Sequence, residues 1–485
     1  MCLLILIKDM KSLVARQSPK KISHQNSLRK WRDRNLYYYE DLEKFYSFIV
    51  QPESKVLEIG SGLGNLLGFV NPQYGLGIDI NPVAIEDAKE TFPNLDFQLE
   101  NAEDFSPGQV FDYVLLANTI SYLENFQKAF RNFHGVCDPS TRIVLTFHNP
   151  AWEPILKLAT LVGQRMPLPP LNWLSFKDIE NLLDLSGFEV VSSGKRLLFP
   201  KRFPLISSLF NRFLAPLPGL NHLCLTEYII ARIRPSAVRS QANIYEMTCS
   251  VIIPARNEAG NIESCITRLP KLGKRTEVIF IEGCSSDSTW EEIQRVQAKY
   301  SHQWDIKIYQ QTGKGKGDAV RQGFEKATGD VLIILDSDLT VRPEDLTYFF
   351  EAVASGHCEL ANGCRLIYPV NPTAMPLLNR IANRFFAWLL SYLLNVKIKD
   401  SLCGTKAISK ANYLKLAANR SHFGDFDPFG DFDLLFGAAK LGLKIQDIPV
   451  RYVPRVYGKS NIRHFQEGLV LLKMCIHAAK HIKFV

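Results

Sequence analysis

No apolar run in this 485-residue chain reaches the about 20 residues that a membrane-spanning helix needs. The nearest candidates, "FFAWLLSYLL" (Phe385–Leu394) and "LVLLKMCIHAA" (Leu469–Ala479), suit a core or interfacial helix. Cysteine forms no C-x-x-C pair and no metal-ligand spacing among its ten residues, so reduced thiols in a cytoplasmic protein are expected. Excess charge is missing from most of the chain. Residues 1–34 carry nine Lys/Arg against two Asp, which accounts for +7 of the net +8. A nucleic-acid-binding body is therefore not expected. The opening "MCLLILIK" places its apolar run before the basic residues, the reverse of a secretory signal. Residues 1–41 read as a flexible basic leader or as a weak tether to an anionic membrane, which would hold the protein peripherally at the inner face.

What is present is two α/β patterns. Hydrophobic residues are 46% and charged residues 22%, ordinary globular values, and the length implies roughly two to four domains. Residues 42–198 alternate strand-like runs ("KVLEIG", "GLGIDI", "FDYVLLAN", "RIVLTFH") with helical stretches, the pattern of a parallel sheet. Residues 199–247 form a Pro/Phe/Leu-rich connector that packs on a domain or lies against a membrane surface. Residues 248–485 repeat the alternation through "CSVIIPARNE", "EVIFIEG", "IKIYQQ" and "DVLIILDSD".

In the first pattern, "VLEIGSGLGNLL" sets Gly60, Gly62 and Gly64 after a strand and before a helix. Such a turn lets backbone N–H groups approach a ligand at a helix N-terminus. Asp79 ends the next strand 19 residues after Gly60, where a doubly wound sheet presents an acid to ribose hydroxyls. Glu58 in the preceding strand, and the missing helix-packing glycine, speak against a nicotinamide site. The stretch resembles the class I S-adenosylmethionine-dependent methyltransferases, which implies a Rossmann-like sheet. The resemblance implies that Glu58 and the glycines lie near the methionyl part and Asp79 on the ribose. It further implies Asn101 and Ala102 of "ENAEDF" beside the adenine, and Asn118 of "FDYVLLANTISYL" at the transfer site. The family often has Asp where Asn101 stands. His148 in "TFHNP" ends a later strand, either as a general base or as a structural hydrogen-bonder.

In the second pattern, "SVIIPARNEAGNI" is a strand running into a polar loop, and "EVIFIEGCSSDSTW" places Asp287 and Ser288 to cap a helix. A Gly/Lys loop and an apolar strand then lead to Asp336-Ser337-Asp338. Two carboxylates at a strand end hold a hard divalent cation or simply end a solvated turn. The combination resembles glycosyltransferase family 2, an inverting family of GT-A fold. It is nearest the dolichyl- or polyprenyl-phosphate mannose synthase branch through "LNRIANRFFAWLLSYLLN", "KDSLCGTKAIS" and "VRYVPRVYGKSNI".

That resemblance implies a nucleotide-sugar set of Pro254, Arg256, Glu258, Glu282, Asp287, Lys316, Asp336, Ser337, Arg365 and Lys459. It implies Mg²⁺ or Mn²⁺ on Asp336 and Asp338, and Arg365 and Lys459 near anionic groups. Glu282 stands where the family commonly has Asp. In "FGDFDPFGDFDLLFG" (Phe423–Gly437), Asp433 best matches the family's acceptor-side acid. Asp431 is second choice and helix N-cap, while Asp425 and Asp427 read as turn or acceptor-loop residues.

The expected activity is sugar transfer from a nucleoside diphosphate sugar to polyprenyl phosphate or a glycan hydroxyl, fused to S-adenosylmethionine-dependent methyl transfer. The rivals are a first domain that only senses S-adenosylmethionine or serves as a scaffold, and nucleotidyl transfer. The latter would want a Gly-rich Arg/Lys signature that "IPARNEAGN" lacks.

Overall fold

A computed structural model describes residues 28–105, 108–167, 172–204, 206–235, 244–369, 374–419, 430–458 and 464–483. Two compact units divide between Arg234 and Pro235. Among the described residues, no helix is long and apolar enough to cross a membrane.

The first unit holds β1 (Lys55–Ile59), β2 (Tyr74–Asp79), β3 (Asp96–Leu99), β4 (Tyr113–Ala117), β5 (Arg142–His148), β6 (Phe188–Arg196) and β7 (Thr226–Ile233). Their order in the sheet is β3-β2-β1-β4-β5-β7-β6. The first five strands pair in parallel, and β7 runs antiparallel to both β5 and β6. Strand side chains alternate between faces. Leu57, Ile59, Val114, Leu116, Ile143 and Leu145 accordingly join one buried cluster, while Val56, Leu115 and Val144 join another. Covering both faces explains why these strands read as unbroken apolar runs.

Two boundaries differ from the sequence reading. β7 lies inside the span expected as a connector from residue 199 to 247 and is a strand of the first sheet, burying Ile229, Ile230 and Ala231. Only antiparallel insertion supplies its backbone partners, and no local pattern in "TEYIIARI" announces them. The helix Leu36–Ile49 begins within the segment expected as a leader and buries Leu42, Phe45, Tyr46 and Ile49. Tyr46 anchors it by donating its hydroxyl to Leu116 O at 3.1 Å. Residues 1–27 lie outside the described residues.

The second unit holds β8 (Thr248–Ala255), β9 (Arg275–Glu282), β10 (Asp305–Gln310), β11 (Val331–Ile334), β12 (Leu360–Cys364), β13 (Lys406–Ser409) and β14 (Ile445–Pro449). The order is β10-β9-β8-β11-β13-β12-β14, with β13 antiparallel to β11 and β12. Ile252, Ile279, Leu332 and Ile334 fill one face, and Val251, Ile253, Phe280 and Ile333 the other. With the apolar runs spent on both faces, polar groups emerge where the parallel strands end.

One buried ion pair ties the segment "KDSLCGTK" to the sheet. Asp400 accepts hydrogen bonds from Arg365 N (2.9 Å), Nε (2.8 Å) and Nη2 (2.9 Å), and from Asn383 Nδ2 (2.7 Å) on the helix Leu377–Leu394. Burial pushes the Asp400 carboxyl up, but the Arg365 guanidinium more than offsets this and holds it at about 2. A carboxyl depressed in the folded state stabilises fully above its unfolded value of about 3.9. That contribution drains away as pH falls from there through the folded value. Asp400→Asn should cost the second unit about 3–5 kcal/mol by leaving a buried guanidinium without its counterion. Amide exchange across β12 under increasing urea measures this; unchanged protection there would contradict it.

Candidate functional site

The glycine loop after β1 is built by left-handed backbone. Gly60, Gly62 and Gly64 have φ of 73°, 51° and 73°, which L side chains adopt only with strain. Gly60 N and Ser61 N donate to Ile78 O at the end of β2, at 2.7 and 2.9 Å. Asp79 Oδ2 accepts from Gly62 N at 2.8 Å and Oδ1 from Asn81 N at 2.8 Å, so this acid braces the loop it faces. Nothing lies within 4 Å of where a Cβ on Gly62 would stand. Glu58 is buried and accepts from Leu67 N at 3.1 Å; burial pushes its carboxyl well above the usual range. Glu100 N donates to Asp79 O at 3.1 Å, which seats "ENAEDF" beside that acid. Asn101 is exposed and its Oδ1 accepts from Glu103 N at 3.0 Å, whereas the Ala102 side chain is packed in the core.

β4 delivers Asn118 to the same end of the sheet, with a left-handed φ of 60°. Thr119 Oγ1 donates to Ile59 O at 2.8 Å and so clamps this turn against the start of the glycine loop. Asn118 Nδ2 donates to Tyr38 Oη at 2.8 Å, and Tyr38 Oη lies 3.2 Å from His148 Nε2. Asn118 Oδ1 and Ser61 Oγ are buried without a protein partner. Burial lowers the His148 pKa to about 3, so this imidazole is neutral at working pH. Of the two readings of His148, the contact with Tyr38 and the lowered pKa favour the structural hydrogen-bonder: this half-buried ring takes up a proton only at a desolvation cost. Tyr38 carries no signal in the sequence, because it lies in the expected leader, on the helix Leu36–Ile49 that runs into the expected domain.

In the second unit, five strand and loop ends converge. Ser337 Oγ donates to Pro254 O at 2.9 Å, joining the ends of β11 and β8. Asp336 pairs with Lys316 Nζ at 2.5 Å. Arg455 spans two acids: its Nη1 is 2.6 Å from Glu258 Oε1 and its Nη2 is 2.7 Å from Asp338 Oδ2. Glu258 also accepts from Asn261 Nδ2 at 2.7 Å, and burial raises its pKa despite the Arg455 charge. Glu282 accepts from Ser285 N at 2.6 Å, closing the turn after β9. Arg256 is exposed beside it.

Asp287 Oδ1 accepts from Thr289 N at 3.1 Å, whereas the Ser288 side chain makes no capping bond, which divides the expected cap between them. Tyr457 Oη donates to Asp287 Oδ2 at 3.3 Å. Arg365 is committed through Nε and Nη2 to Asp400, and its guanidinium lies 5.1 Å from the Tyr452 ring.

Gly404 of "KDSLCGTK" packs against the Lys316–Asp336 ion pair, because a Cβ there would collide with Lys316 Nζ and the Asp336 carboxylate. Gly430 has φ 73° and caps the helix Asp431–Lys440, so Asp431 is its first helical residue and not its N-cap. A Cβ on Gly430 would come within 2.9 Å of Gly317 Cα, which puts this helix start against the Lys316 turn. Asp433 is buried one residue further into that helix than Phe432. Lys459, Asp425, Asp427 and the Asp431 side chain lie outside the described residues. Arg455 and Gly404 went unremarked in the sequence, although both segments carrying them stood out.

Residues 13–193 match the family described as Methyltransferase domain, and residues 250–413 match Glycosyl transferase family 2. The chain joins a methyltransferase domain to a family 2 glycosyltransferase domain. A dolichol-phosphate mannosyltransferase of Pyrococcus furiosus is 36% identical over 124 residues, 25% of this chain and 34% of that protein. Glycosyltransferase AglJ of Haloferax volcanii is 26% identical over 232 residues, 47% of this chain and 71% of that protein. A solved glucosyl-3-phosphoglycerate synthase of Mycobacterium tuberculosis shows 17% identity and a TM-score of 0.37, covering 50% of this chain and 82% of that one. The chain spans about a third of the length of the first curated relatives it matches, 34% and 33%.

The methyltransferase-domain histidine offers a direct check. Nitrogen NMR of His148 should show a neutral ring down to about pH 4. A midpoint near the ordinary value of about 6.5 would mean that the imidazole is solvated.

Proposed function

We propose that the glycosyltransferase domain moves a sugar from a nucleoside diphosphate sugar to an acceptor with inversion, and that the methyltransferase domain moves a methyl group from S-adenosylmethionine. The observation that carries the first half is the meeting of Asp336, Asp338, Glu258, Lys316 and Arg455 at the strand ends. In an inverting displacement the acceptor oxygen attacks the anomeric carbon while the bond to the diphosphate oxygen breaks, and that electron pair leaves with the diphosphate. Charge builds on the leaving group, so the site must neutralise it.

The partly buried carboxylates of Asp336 and Asp338 would hold a hard divalent cation beside the diphosphate. Mg²⁺ or Mn²⁺ bound there would supply that neutralisation. Without it, Lys316 and Arg455 satisfy the same carboxylates; once these are otherwise engaged, both cations are placed to turn toward the diphosphate. Glu258, Glu282 and Asp287 hold the loops that would cradle the nucleotide.

A lipid phosphate is the favoured acceptor. The helix Leu377–Leu394 exposes Leu378, Ile381, Phe385 and Trp388 along one stripe at spacings of three and four, and buries Phe386, Leu390 and Leu393 on the other side. A phosphate oxygen is already ionised, so Asp433 has only to orient it; a hydroxyl would need a carboxylate near its proton.

For the methyltransferase domain, the support is the pair of buried, partnerless oxygens, Ser61 Oγ and Asn118 Oδ1, around the open space at Gly62. A ligand with hydrogen-bond donors would satisfy both. Glu58 and Asp79 flank that space from β1 and β2. S-adenosylmethionine would supply an electrophilic methyl; Tyr38, Asn118 and His148 would orient the acceptor atom.

Labelled nucleotide sugars offered with Mn²⁺ and polyprenyl phosphate test the first half. Transfer should be found for at least one sugar and fall by about a thousandfold in Asp338→Ala. Undiminished turnover in that variant sinks the assignment. Binding of Mn²⁺ alone, followed by electron paramagnetic resonance, should tighten about tenfold in Arg455→Ala, because the competing guanidinium is gone. Weaker binding would show Arg455 to support the cation. Calorimetry should register S-adenosylmethionine binding that Asp79→Ala weakens at least about tenfold.

A further inference from the structure

The Pro/Phe/Leu-rich segment after β6 has a place in the first unit but no use in either proposed reaction. It wraps the same end of the sheet as Tyr38 and His148. Trp152 Nε1 donates to Leu223 O at 2.8 Å, and Asn149 Nδ2 donates to His222 O at 2.9 Å. Asn211 Nδ2 donates to Tyr37 Oη at 3.1 Å, and Lys201 Nζ donates to Asn35 Oδ1 at 3.0 Å. Beneath, Leu156, Leu197 and Leu225 pack against Tyr38, Trp152 and Trp173. The collar is therefore continuous with the wall of the methyl-transfer site, and the helix Glu153–Leu161 follows β5 after one short turn.

Its outer side is apolar. Leu158 and Leu161 are 59% and 83% exposed, and Leu209, Phe213 and Leu223 are 52%, 51% and 57% exposed. Soluble monomers rarely leave contiguous apolar patches beyond a few hundred Å² without a partner. Charge identifies the partner. Residues 199–225 hold Lys201, Arg202 and Arg212 and no acidic residue, and Lys157 and Arg165 lie nearby on the chain. Glu40 pairs with Arg202 and Glu153 with Lys157, so five cations face two acids and the fringe stays net positive. Apolar and aromatic side chains with a basic fringe are what an anionic bilayer surface binds.

We propose that this collar docks the methyltransferase unit on an anionic lipid surface, with the transfer site opening at the headgroup level. This rests on the methyl-transfer reading for its consequence: the methyl acceptor is a lipid-linked molecule presented from the bilayer. The apolar stripe on the helix Leu377–Leu394 is a separate surface of the other unit, so a whole-protein binding assay would not tell them apart.

Local hydrogen exchange on the full chain does. With vesicles of phosphatidylcholine containing phosphatidylglycerol, amides across residues 153–162 and 206–223 should exchange about tenfold more slowly than in buffer. Pure phosphatidylcholine should protect them far less. The surface pair Leu158→Glu/Leu161→Glu should abolish that protection while leaving S-adenosylmethionine affinity, by calorimetry, within about twofold of the parent. The proposal is overturned if phosphatidylglycerol vesicles protect residues 377–394 but leave the collar unchanged. It is equally overturned if the collar is protected without vesicles and more so at higher protein concentration, which would make a second copy the occupant. Vesicle protection in a chain that fails to bind S-adenosylmethionine would sink the methyl-transfer reading and leave the docking surface standing.

Discussion

Both units depend on covering a mainly parallel sheet on two faces. A strand buried on both sides spends every side chain on packing, as Val251, Ile252, Ile253 and Val331 to Ile334 do. Polar chemistry is thereby driven to the loops at the strand ends, where backbone N–H groups, carboxylates and the first turns of helices face one another. The glycine loop with Asp79 and Asn118, and the Asp336/Asp338 loop with Glu258 and Asp287, are two results of that one constraint.

The two sites handle polar groups differently. In the methyltransferase unit desolvation dominates: Glu58 is buried with its carboxyl pushed up, and burial lowers the pKa of the half-buried His148. The glycosyltransferase site balances charge instead. Three acids are matched by Lys316 and Arg455, both partly exposed, and each ion pair is of a kind that solvent and ligands can rearrange. Arg365 and Asp400 are the opposite case, a pair so buried that it serves architecture.

Much of this was legible because the motifs are local. Three glycines with positive φ, an acid at the end of β2, and two acids at the end of β11 are short-range facts, and the fold follows from the strand–helix alternation around them. Residues that reach a site from afar were not legible. Tyr38 enters from a helix before the first strand, Arg455 from beyond the last, and Gly404 acts only through the lack of a Cβ beside Lys316. β7 reads locally as connector because antiparallel insertion between β5 and β6 depends on partners far away in sequence.

By itself, then, the sequence determined two α/β units, their order, the glycine loop, Asp79 and the Asp336/Asp338 pair, because each is written in periodicity or spacing over a few dozen residues. Only the tertiary structure decided that Arg455 bridges Glu258 and Asp338 and that Arg365 belongs to Asp400. It also decided that His148 is half-buried against Tyr38 with a lowered pKa and that the Pro/Phe/Leu-rich segment is a collar with an apolar outer side. Burial, ion pairing and exposure are properties of neighbours, and neighbours separated by 35 residues, as Arg365 and Asp400 are, or by 197, as Glu258 and Arg455 are, leave no trace in local pattern.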